Sequence, residues 1–115
     1  MAYMLLVVEP PDQRRTRTEE EGREVYERML RFSADLASRG LLTLAQSLKS
    51  EAARVTVRDD RLTVVDGPFT EAKEMVGGVF LLTCETREQA LAIARECPAA
   101  QWCTIEVREL GPCFQ

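Results

Sequence analysis

The amino-acid sequence predicts an α+β domain, and three kinds of pattern support this prediction. Residues 3–8 and 79–82 are consecutive apolar residues, which is typical of strands buried on both faces. Residues 18–21 and 86–89 each fit a capping box, in which a threonine and a glutamate or glutamine satisfy each other's backbone amides at the start of a helix. Alternating apolar and polar residues elsewhere indicate strands with one exposed face.

The first predicted strand covers residues 3–8; Glu9 and two prolines end it, and a polar loop leads from there to the first helix. In that helix Val25, Met29, Phe32 and Leu36 recur at helical spacing. They form one apolar stripe, which predicts a helix of about five turns packed against a core.

Gly40 supplies the left-handed residue that ends the first helix, and residues 41–48 form the second strand. Next, residues 54–58 and 62–65 alternate between apolar and polar side chains, and two aspartates lie between them. This pattern predicts a β-hairpin with one face exposed to solvent.

Apolar residues at helical spacing within residues 90–97 give the second helix a buried face, and Pro98 ends it. Residues 102–110 then alternate, with Ile105 and Val107 on one side. The last element is therefore predicted as a half-exposed edge strand.

With the hairpin set aside, the element order is strand, helix, strand, strand, helix, strand. This is the order of the ferredoxin-like fold, in which the first and third strands form the central pair of a four-stranded sheet. Those two strands are the ones that the apolar runs predict, so pattern and topology agree. We therefore expect a single ferredoxin-like domain with an inserted β-hairpin over residues 1–115.

Two helices can cover only one face of a four-stranded sheet. Leu6, Val8 and the outward residues of the run 79–82 would leave an apolar patch on the other face, and such patches are rarely left in water. We expect a second copy to cover this open face by stacking sheet to sheet, as a two-fold homodimer.

The charge pattern disfavours nucleic acid as a partner. The chain has 15 basic and 19 acidic residues, a net charge of −4, and the two signs are interleaved. Nucleic-acid binding needs cations that face phosphates unopposed. The apolar N-terminal segment is too short to span a membrane and lacks the features of a signal peptide. We expect a cytoplasmic protein without a nucleic-acid or membrane partner.

Four cysteines and the absence of histidine limit the metal chemistry that the chain can support. There is no Cys-x-x-Cys pair, so a zinc site would need four cysteines that lie far apart in the sequence. We expect no metal and no cofactor, and reduced thiols that act as small core residues, with a frayed thiol at the C-terminus: Cys84, Cys97, Cys103 and Cys113.

Residues 66–74, with the sequence Asp-Gly-Pro-Phe-Thr-Glu-Ala-Lys-Glu, are the candidate functional site. They place turn-forming residues, three carboxylates, a lysine and an aromatic ring between two apolar segments. Asp66 has two interpretations: its carboxylate caps the following turn, or it stays free in a cleft as a general base or ligand acceptor. The two roles are compatible, with one oxygen for each.

Glu71, Lys73 and Glu74 span about one helical turn, so the two glutamates would share a face while Lys73 points elsewhere. One interpretation is a solvated turn with a surface ion pair. The other is a frame for a small polar ligand, or for proton transfer, at the mouth of an apolar cleft. In that case Arg54 and Arg58 of the hairpin border the same cleft; otherwise they are surface arginines.

One further feature lies within this site and another follows it. Phe69 is predicted to anchor the loop in the core rather than to stack on a ligand. Gly77 and Gly78 precede the second apolar run, and they predict a bulge or a close approach of the backbone.

Taken together, these residues resemble the YCII-related, or DGPF-domain, family. The resemblance rests on residues 3–6, residues 56–58, residues 66–69 with Glu71, Lys73 and Glu74, the glycines at 77 and 78, and residues 105–108. It covers nearly the whole chain, and the block 66–74 is too long and chemically mixed for a chance match.

Membership implies a dimeric ferredoxin-like α+β barrel. Relatives of the YCII type carry a histidine and an aspartate that face the dimer cleft, and this pair has suggested an enzymatic role. A histidine–aspartate mechanism does not carry over to a chain without histidine. Only the aspartate half has a candidate position, Asp66. The DGPF branch is associated with extracytoplasmic-function sigma factors, which implies a regulatory role.

Three functions follow from these observations. A ligand-sensing or regulatory accessory domain is favoured, because the sequence lacks a histidine, a nucleophile with a base, and a set of metal ligands. The alternative is a small-molecule enzyme that uses Asp66 with Glu71 or Glu74 as base and acid, which requires burial to raise a carboxyl pKa. The third is a dimer without chemistry, in which the loop 66–74 is packed shut.

Overall fold

The computed structural model of the chain describes residues 2–69 and 71–114; Met1, Thr70 and Gln115 lie outside the described residues. Its strands and helices, in chain order, are β1 (Tyr3–Glu9), α1 (Glu19–Ser38), β2 (Leu42–Ser47), β3 (Ala53–Arg58), β4 (Arg61–Asp66), β5 (Met75–Leu82), α2 (Arg87–Glu96) and β6 (Thr104–Glu109). Short 3₁₀ turns precede α1 (Gln13–Thr16) and follow α2 (Pro98–Gln101).

Four strands form one antiparallel sheet in the order β2-β5-β1-β6. This order is that of the ferredoxin-like fold, and it places β1 and β5 at the centre, as the apolar runs predicted. The α+β ferredoxin-like fold predicted from the sequence is therefore confirmed. β5 begins at Met75, four residues before the apolar run from which it was predicted.

Local signals fix both helices. Thr18 and Glu21 form the predicted capping box at the start of α1, and Thr86 and Gln89 form the second one at the start of α2. After α1 the backbone of Gly40 is left-handed, with a φ of 69°, as its position predicted.

The core lies between the two helices and one face of the sheet. Leu5 of β1, Leu36 of α1 and Leu82 of β5 are completely buried. Phe32 and Phe80 meet edge to face, with 5.4 Å between ring centroids, the arrangement that aromatic rings prefer.

The cysteines follow the prediction in part. Cys84 and Cys97 are buried core residues, and Cys113 is exposed near the C-terminus. Cys103, by contrast, is half-buried: it packs against the edge of the core, and its thiol lies beside polar groups.

The other face of the sheet carries a ridge of apolar side chains, which we call the open face. Met4, Leu6 and Val8 of β1 alternate with the buried core residues, and Val79 and Leu81 pair with them from β5. Neither helix covers them, because both helices pack on the opposite face. Within the described residues, no helix is long and apolar enough to cross a membrane.

The hairpin β3–β4 stands apart from the sheet. The two strands pair with each other, and all six residues of each strand are exposed. The prediction that one face of the hairpin packs against the protein is therefore wrong, because both faces are exposed. The projecting hairpin accounts for a radius of gyration of 16.0 Å, against about 13 Å for a compact domain of this length.

Candidate functional site

The predicted loop site lies at the base of the hairpin. Asp66 ends β4 opposite Ala53, and the next amide, that of Gly67, donates to the Ala52 carbonyl at 2.6 Å. The Asp66 side chain is exposed, and within the described residues no hydrogen bond to its carboxylate is present.

Beyond Asp66 the loop borders a cavity of about 490 Å³, which we call the loop cavity. The Arg54 guanidinium lies 3.7 Å from the centroid of the Phe69 ring, a cation–π contact that closes one side. Glu74 also lines the cavity. Phe69 is half-buried and outside the core, so its predicted role as a core anchor is wrong.

The loop cavity collects only two of the six predicted site residues, Arg54 and Glu74. The Ala72 amide donates to the Phe69 carbonyl at 3.1 Å, and residues 71–74 are not helical. Glu71 and Lys73 are exposed and do not line the cavity. Arg58 lies at the far tip of the hairpin, opposite Arg61. Asp66 is outside the cavity lining.

A larger cavity of about 560 Å³ lies between α1 and the sheet, and we call it the α1 cleft. Sequence reasoning did not predict it. Its walls are mainly apolar side chains from α1, the sheet and the turn after α2: Val7, Val25, Tyr26, Met29, Leu30, Ala45, Leu48, Phe80, Ala99 and Trp102. Tyr26 and Leu30 remain about half exposed, with 52% and 49% of their surface accessible. On this side of α1 the cleft separates the helix from the sheet.

One end of the cleft is closed by an ion pair between Glu9 and Arg14. Arg14 Nε lies 2.6 Å from Glu9 Oε1, and Glu9 is only 5% exposed. Arg14 also donates to two backbone carbonyls, those of Leu48 at 2.6 Å and Gly77 at 3.1 Å. One guanidinium thus joins the end of β1, the end of β2 and the start of β5.

Glu9 Oε1 is fully enclosed and accepts no hydrogen bond within the described residues, although Arg14 Nε is close. The contact is therefore ionic without a well-directed N–H donor. A buried carboxylate oxygen without a hydrogen-bond donor costs free energy. The ionic contact with Arg14 offsets part of this cost.

Gly77 makes room for this pair. A β-bulge in β5 skips Gly77, because Val7 faces Gly78 and Val8 faces Val76. A Cβ atom at position 77 would lie 2.6 Å from Glu9 Oε1 and 2.7 Å from Arg14 Nη2. The predicted bulge and close approach at Gly77 and Gly78 are confirmed, and what approaches the backbone is the ion pair.

The Cys103 thiol lies on the other side of Glu9. Its Sγ is 3.7 Å from Glu9 Oε2 and 3.3 Å from Gln13 Oε1, so the S–H donates to these oxygens. Burial, and then the negative charge of Glu9 and the hydrogen bond to it, raise the pKa of the Cys103 thiol to about 11. The thiol therefore stays protonated at neutral pH and is a poor nucleophile.

Besides Glu9 and Arg14, the charged residues of the lining are Arg17, Glu19 and Lys49, and we call the part of the cleft beside them its mouth. Trp102 lies under two guanidinium groups, with Arg28 at 5.1 Å and Arg17 at 6.0 Å from its ring centroid. Lys49 lines the cleft as well. Neither Arg17 nor Lys49 forms an ion pair with another described residue.

Comparison with known families agrees with this fold. The sequence profile of the YCII-related domain matches residues 1–113. The chain belongs to the YCII-related domain family. No curated protein matches the sequence. Among the residues described for this YCII-related protein, no three histidine, cysteine or acidic side chains are grouped so as to hold a metal ion.

Sequence reasoning missed Glu9 and Arg14, yet one signal was present. Glu9 follows Tyr3, Leu5 and Val7 at intervals of two, so a strand that includes Glu9 places it on the core face. A carboxylate at such a position needs a partner. The signal was hidden because the prolines after Glu9 suggested that the strand had already ended.

We predict opposite effects for alanine at two glycines of the cleft. Gly77→Ala should destabilise the protein by about 1–3 kcal/mol, because the new methyl group displaces side-chain ends that are locked in an ion pair. Gly22→Ala should stabilise it by about 0.5–1 kcal/mol, because Gly22 is helical and has open space around it. Urea unfolding measures both; equal effects would contradict the role given to Gly77.

We also predict that Cys103 resists alkylation. Because the pKa of its thiol is raised from 9.0 to about 11, its thiolate fraction near neutral pH should be about a hundredfold below that of a free thiol. Glu9→Gln should increase the alkylation rate of Cys103, because it removes a negative charge that disfavours the thiolate. Iodoacetamide labelling resolved by peptide mass spectrometry measures this.

The chain contains the controls for that measurement. Exposed Cys113 should react at the same rate in both proteins, and buried Cys84 and Cys97 report any unfolding. An unchanged Cys103 rate in a folded Glu9→Gln variant would show that the carboxylate does not act on the thiol.

Proposed function

We propose that this YCII-related protein is a ligand-sensing or regulatory accessory domain that binds a small apolar molecule with an anionic group in the α1 cleft. The observation that carries the proposal is the cleft itself. Its volume of about 560 Å³ lies within the range of about 300–1,000 Å³ that is typical of small-molecule sites. Its mainly apolar walls with few charged groups are also typical of such sites.

The charges at the cleft favour an anion. Glu9 and Arg14 neutralise each other at the closed end. At the mouth, Glu19 is paired with Arg23 at 2.7 Å, whereas Arg17 and Lys49 have no ion pair within the described residues. A carboxylate or sulfonate at the mouth would therefore gain the attraction of two cations while its apolar part fills the cleft.

The sequence predicted a ligand cleft near the loop 66–74. We propose instead that the ligand binds in the neighbouring α1 cleft. The two cavities adjoin, since Leu48 and Lys49 line both of them. Arg54 and Glu74 border the loop cavity, while Asp66, Glu71 and Lys73 have no part in the α1 cleft. A ligand in the cleft therefore contacts Lys49 but not Asp66.

The proposal includes a homodimer that buries the open face. The α1 cleft lies on the helix side of the sheet, so stacking through the open face leaves it accessible. A cytoplasmic location, as expected from the sequence, is a further part of the proposal. Association with a sigma factor is another part, and it rests on the family resemblance alone. The resemblance also supports the proposal that residues 1–115 form a single domain.

An enzyme is the second candidate, and Glu9 is the observation that favours it. Glu9 is 5% exposed and lines the apolar cleft, so it is the buried carboxylate that a substrate in the cleft would meet. This candidate replaces Asp66, Glu71 and Glu74 by Glu9 as the proton-transfer group. If a substrate is turned over, Glu9→Gln should abolish turnover and preserve binding.

We predict that filling the cleft abolishes binding of an apolar anion. The probe is 1-anilinonaphthalene-8-sulfonate, which has aromatic rings and one sulfonate. Ser33 lines the cleft and Ala34, the next residue of α1, is exposed. Ser33→Phe should therefore remove binding, whereas Ala34→Phe and Asp66→Ala should keep it. The fluorescence of the bound probe measures the affinity, and the contrast between Ser33→Phe and Ala34→Phe assigns the binding to the cleft.

The same titration distinguishes the two cavities. Binding that survives Ser33→Phe but is lost in Asp66→Ala would place the ligand at the loop 66–74 and contradict the proposal. Binding that survives all three changes would place the probe on another apolar surface, such as the open face.

A further inference from the structure

We propose that Gly22 of α1 makes the α1 cleft selective for apolar anions whose charged group is carried on a ring, such as aryl sulfonates and aryl carboxylates. The missing side chain of Gly22 leaves a notch in the cleft wall, and the ring beside the anionic group fits into this notch. The inference rests on the proposed function, because it concerns the same cleft, and it adds the class of anion that the cleft selects.

Gly22 belongs to a row of residues that α1 presents to the cleft. The members of this row follow one another at intervals of three and four residues, which places them on one side of the helix: Glu19, Gly22, Tyr26, Met29 and Ser33. Each of the others carries a side chain that extends beyond Cβ. At Gly22 the backbone of the helix itself forms the wall.

The fold does not require glycine at this position. Gly22 is helical, and its amide donates to the Thr18 carbonyl at 2.9 Å. Outside the backbone of its own helix, a Cβ atom at position 22 would meet no described atom within 4 Å. Glycine inside a helix lowers stability relative to alanine, because it loses more conformational freedom on folding. A ligand that occupies the open space explains why the helix has glycine here.

The notch lies towards the charged end of the cleft. Arg17 and Thr18 directly precede α1 and line the cleft, and Glu19 is the member of the row that comes before Gly22. Arg17 forms no ion pair with another described residue, so it is available to an anion. An anionic group beside Arg17 therefore lies next to the first turns of α1, where Gly22 provides the opening.

Two aromatic side chains lie close to this opening. Tyr26 is one turn after Gly22, and a helical side chain leans towards the turn before it, so the Tyr26 ring adjoins the notch without filling it. Trp102 lines the same end of the cleft, because the Arg17 guanidinium lies 6.0 Å from its ring centroid. Aromatic rings pack on one another in offset or edge-to-face contacts. A ring in the notch gains such contacts, whereas an alkyl chain leaves the notch open to water.

Two probes of different shape test this selectivity. Naphthalene-1-sulfonate carries its sulfonate on a ring, and octane-1-sulfonate carries the same group at the end of a slender chain. Calorimetric titration gives the affinity of each probe for the wild-type protein and for the variants. Because the anionic group is the same in both, a change confined to one probe reports on shape and not on charge.

Gly22→Leu fills the notch with a residue that favours the helix, so the fold should be kept. Its affinity for naphthalene-1-sulfonate should fall at least about tenfold, while its affinity for octane-1-sulfonate should stay within about twofold of the wild type. Gly22→Ala adds a single methyl group and should show a smaller loss for the ring-bearing probe alone. Ala34→Leu, at an exposed position of α1 outside the cleft lining, is the matched control and should bind both probes like the wild type.

Urea unfolding shows whether each variant is folded, and Gly22→Ala decides the question if Gly22→Leu is destabilised. Equal losses for the two probes would overturn the inference, because Gly22 would then affect the cleft without regard to ligand shape. Unchanged binding of both probes to the folded Gly22 variants would also overturn it, and would leave the proposed function in place.

The proposed function fails in a different way. A wild-type protein that binds neither probe at millimolar concentrations would overturn the ligand site and the selectivity together. Naphthalene-1-sulfonate that binds the Ser33→Phe protein like the wild type would do the same, because the probe would then lie outside the cleft. Loss of binding in Ser33→Phe, together with the loss of the ring-bearing probe alone in Gly22→Leu, is the result that supports both.

Discussion

The shape of the α1 cleft depends on the Arg14 guanidinium. It contacts Glu9 at the end of β1 and the carbonyls of Leu48 and Gly77 at the ends of β2 and β5. The Leu48 amide adds a hydrogen bond of 2.9 Å to the same Gly77 carbonyl, beyond the end of β2. The bulge at Gly77 follows from the same contact, because any side chain there would occupy the place of the ion pair.

The α1 cleft exists because of where this junction lies. Arg14 belongs to the turn that leads into α1, so fixing Arg14 on the sheet fixes the point from which the helix departs. The helix is buried at Phe32 and Leu36, and the gap runs along the side of α1 formed by residues 19–33. Apolar side chains on both sides of this gap form the walls of the cleft, and Glu9 with Arg14 forms its polar end. Cys103 joins the same polar cluster, which explains why it is not a core residue like Cys84 and Cys97.

The fold was predictable and the cleft was not, for a physical reason. Capping boxes, the apolar stripe of α1 and the two apolar runs are local signals, and each of them specified one element. Glu9 and Arg14 are close in the sequence. Their position at the cleft depends on β2 and β5, which come much later in the chain, because Arg14 also binds Leu48 and Gly77. The loop 66–74 was predicted as the functional site because its residues are chemically mixed. Of the six predicted site residues, however, the structure brings only Arg54 and Glu74 to one cavity. The exposure of the hairpin was equally unpredictable, since alternation reveals an apolar face but not what covers it.

The affinity of 1-anilinonaphthalene-8-sulfonate for the Arg14→Met protein, compared with the Arg15→Met protein, shows directly whether the Glu9–Arg14 pair builds the cleft. The two arginines are adjacent, but Arg15 is exposed and forms none of these contacts within the described residues. If Arg14 holds the cleft in shape, Arg14→Met should lower the affinity for the probe by at least about tenfold, while Arg15→Met binds like the wild type. Equal affinity in the two folded variants would contradict the claim that this ion pair builds the binding site.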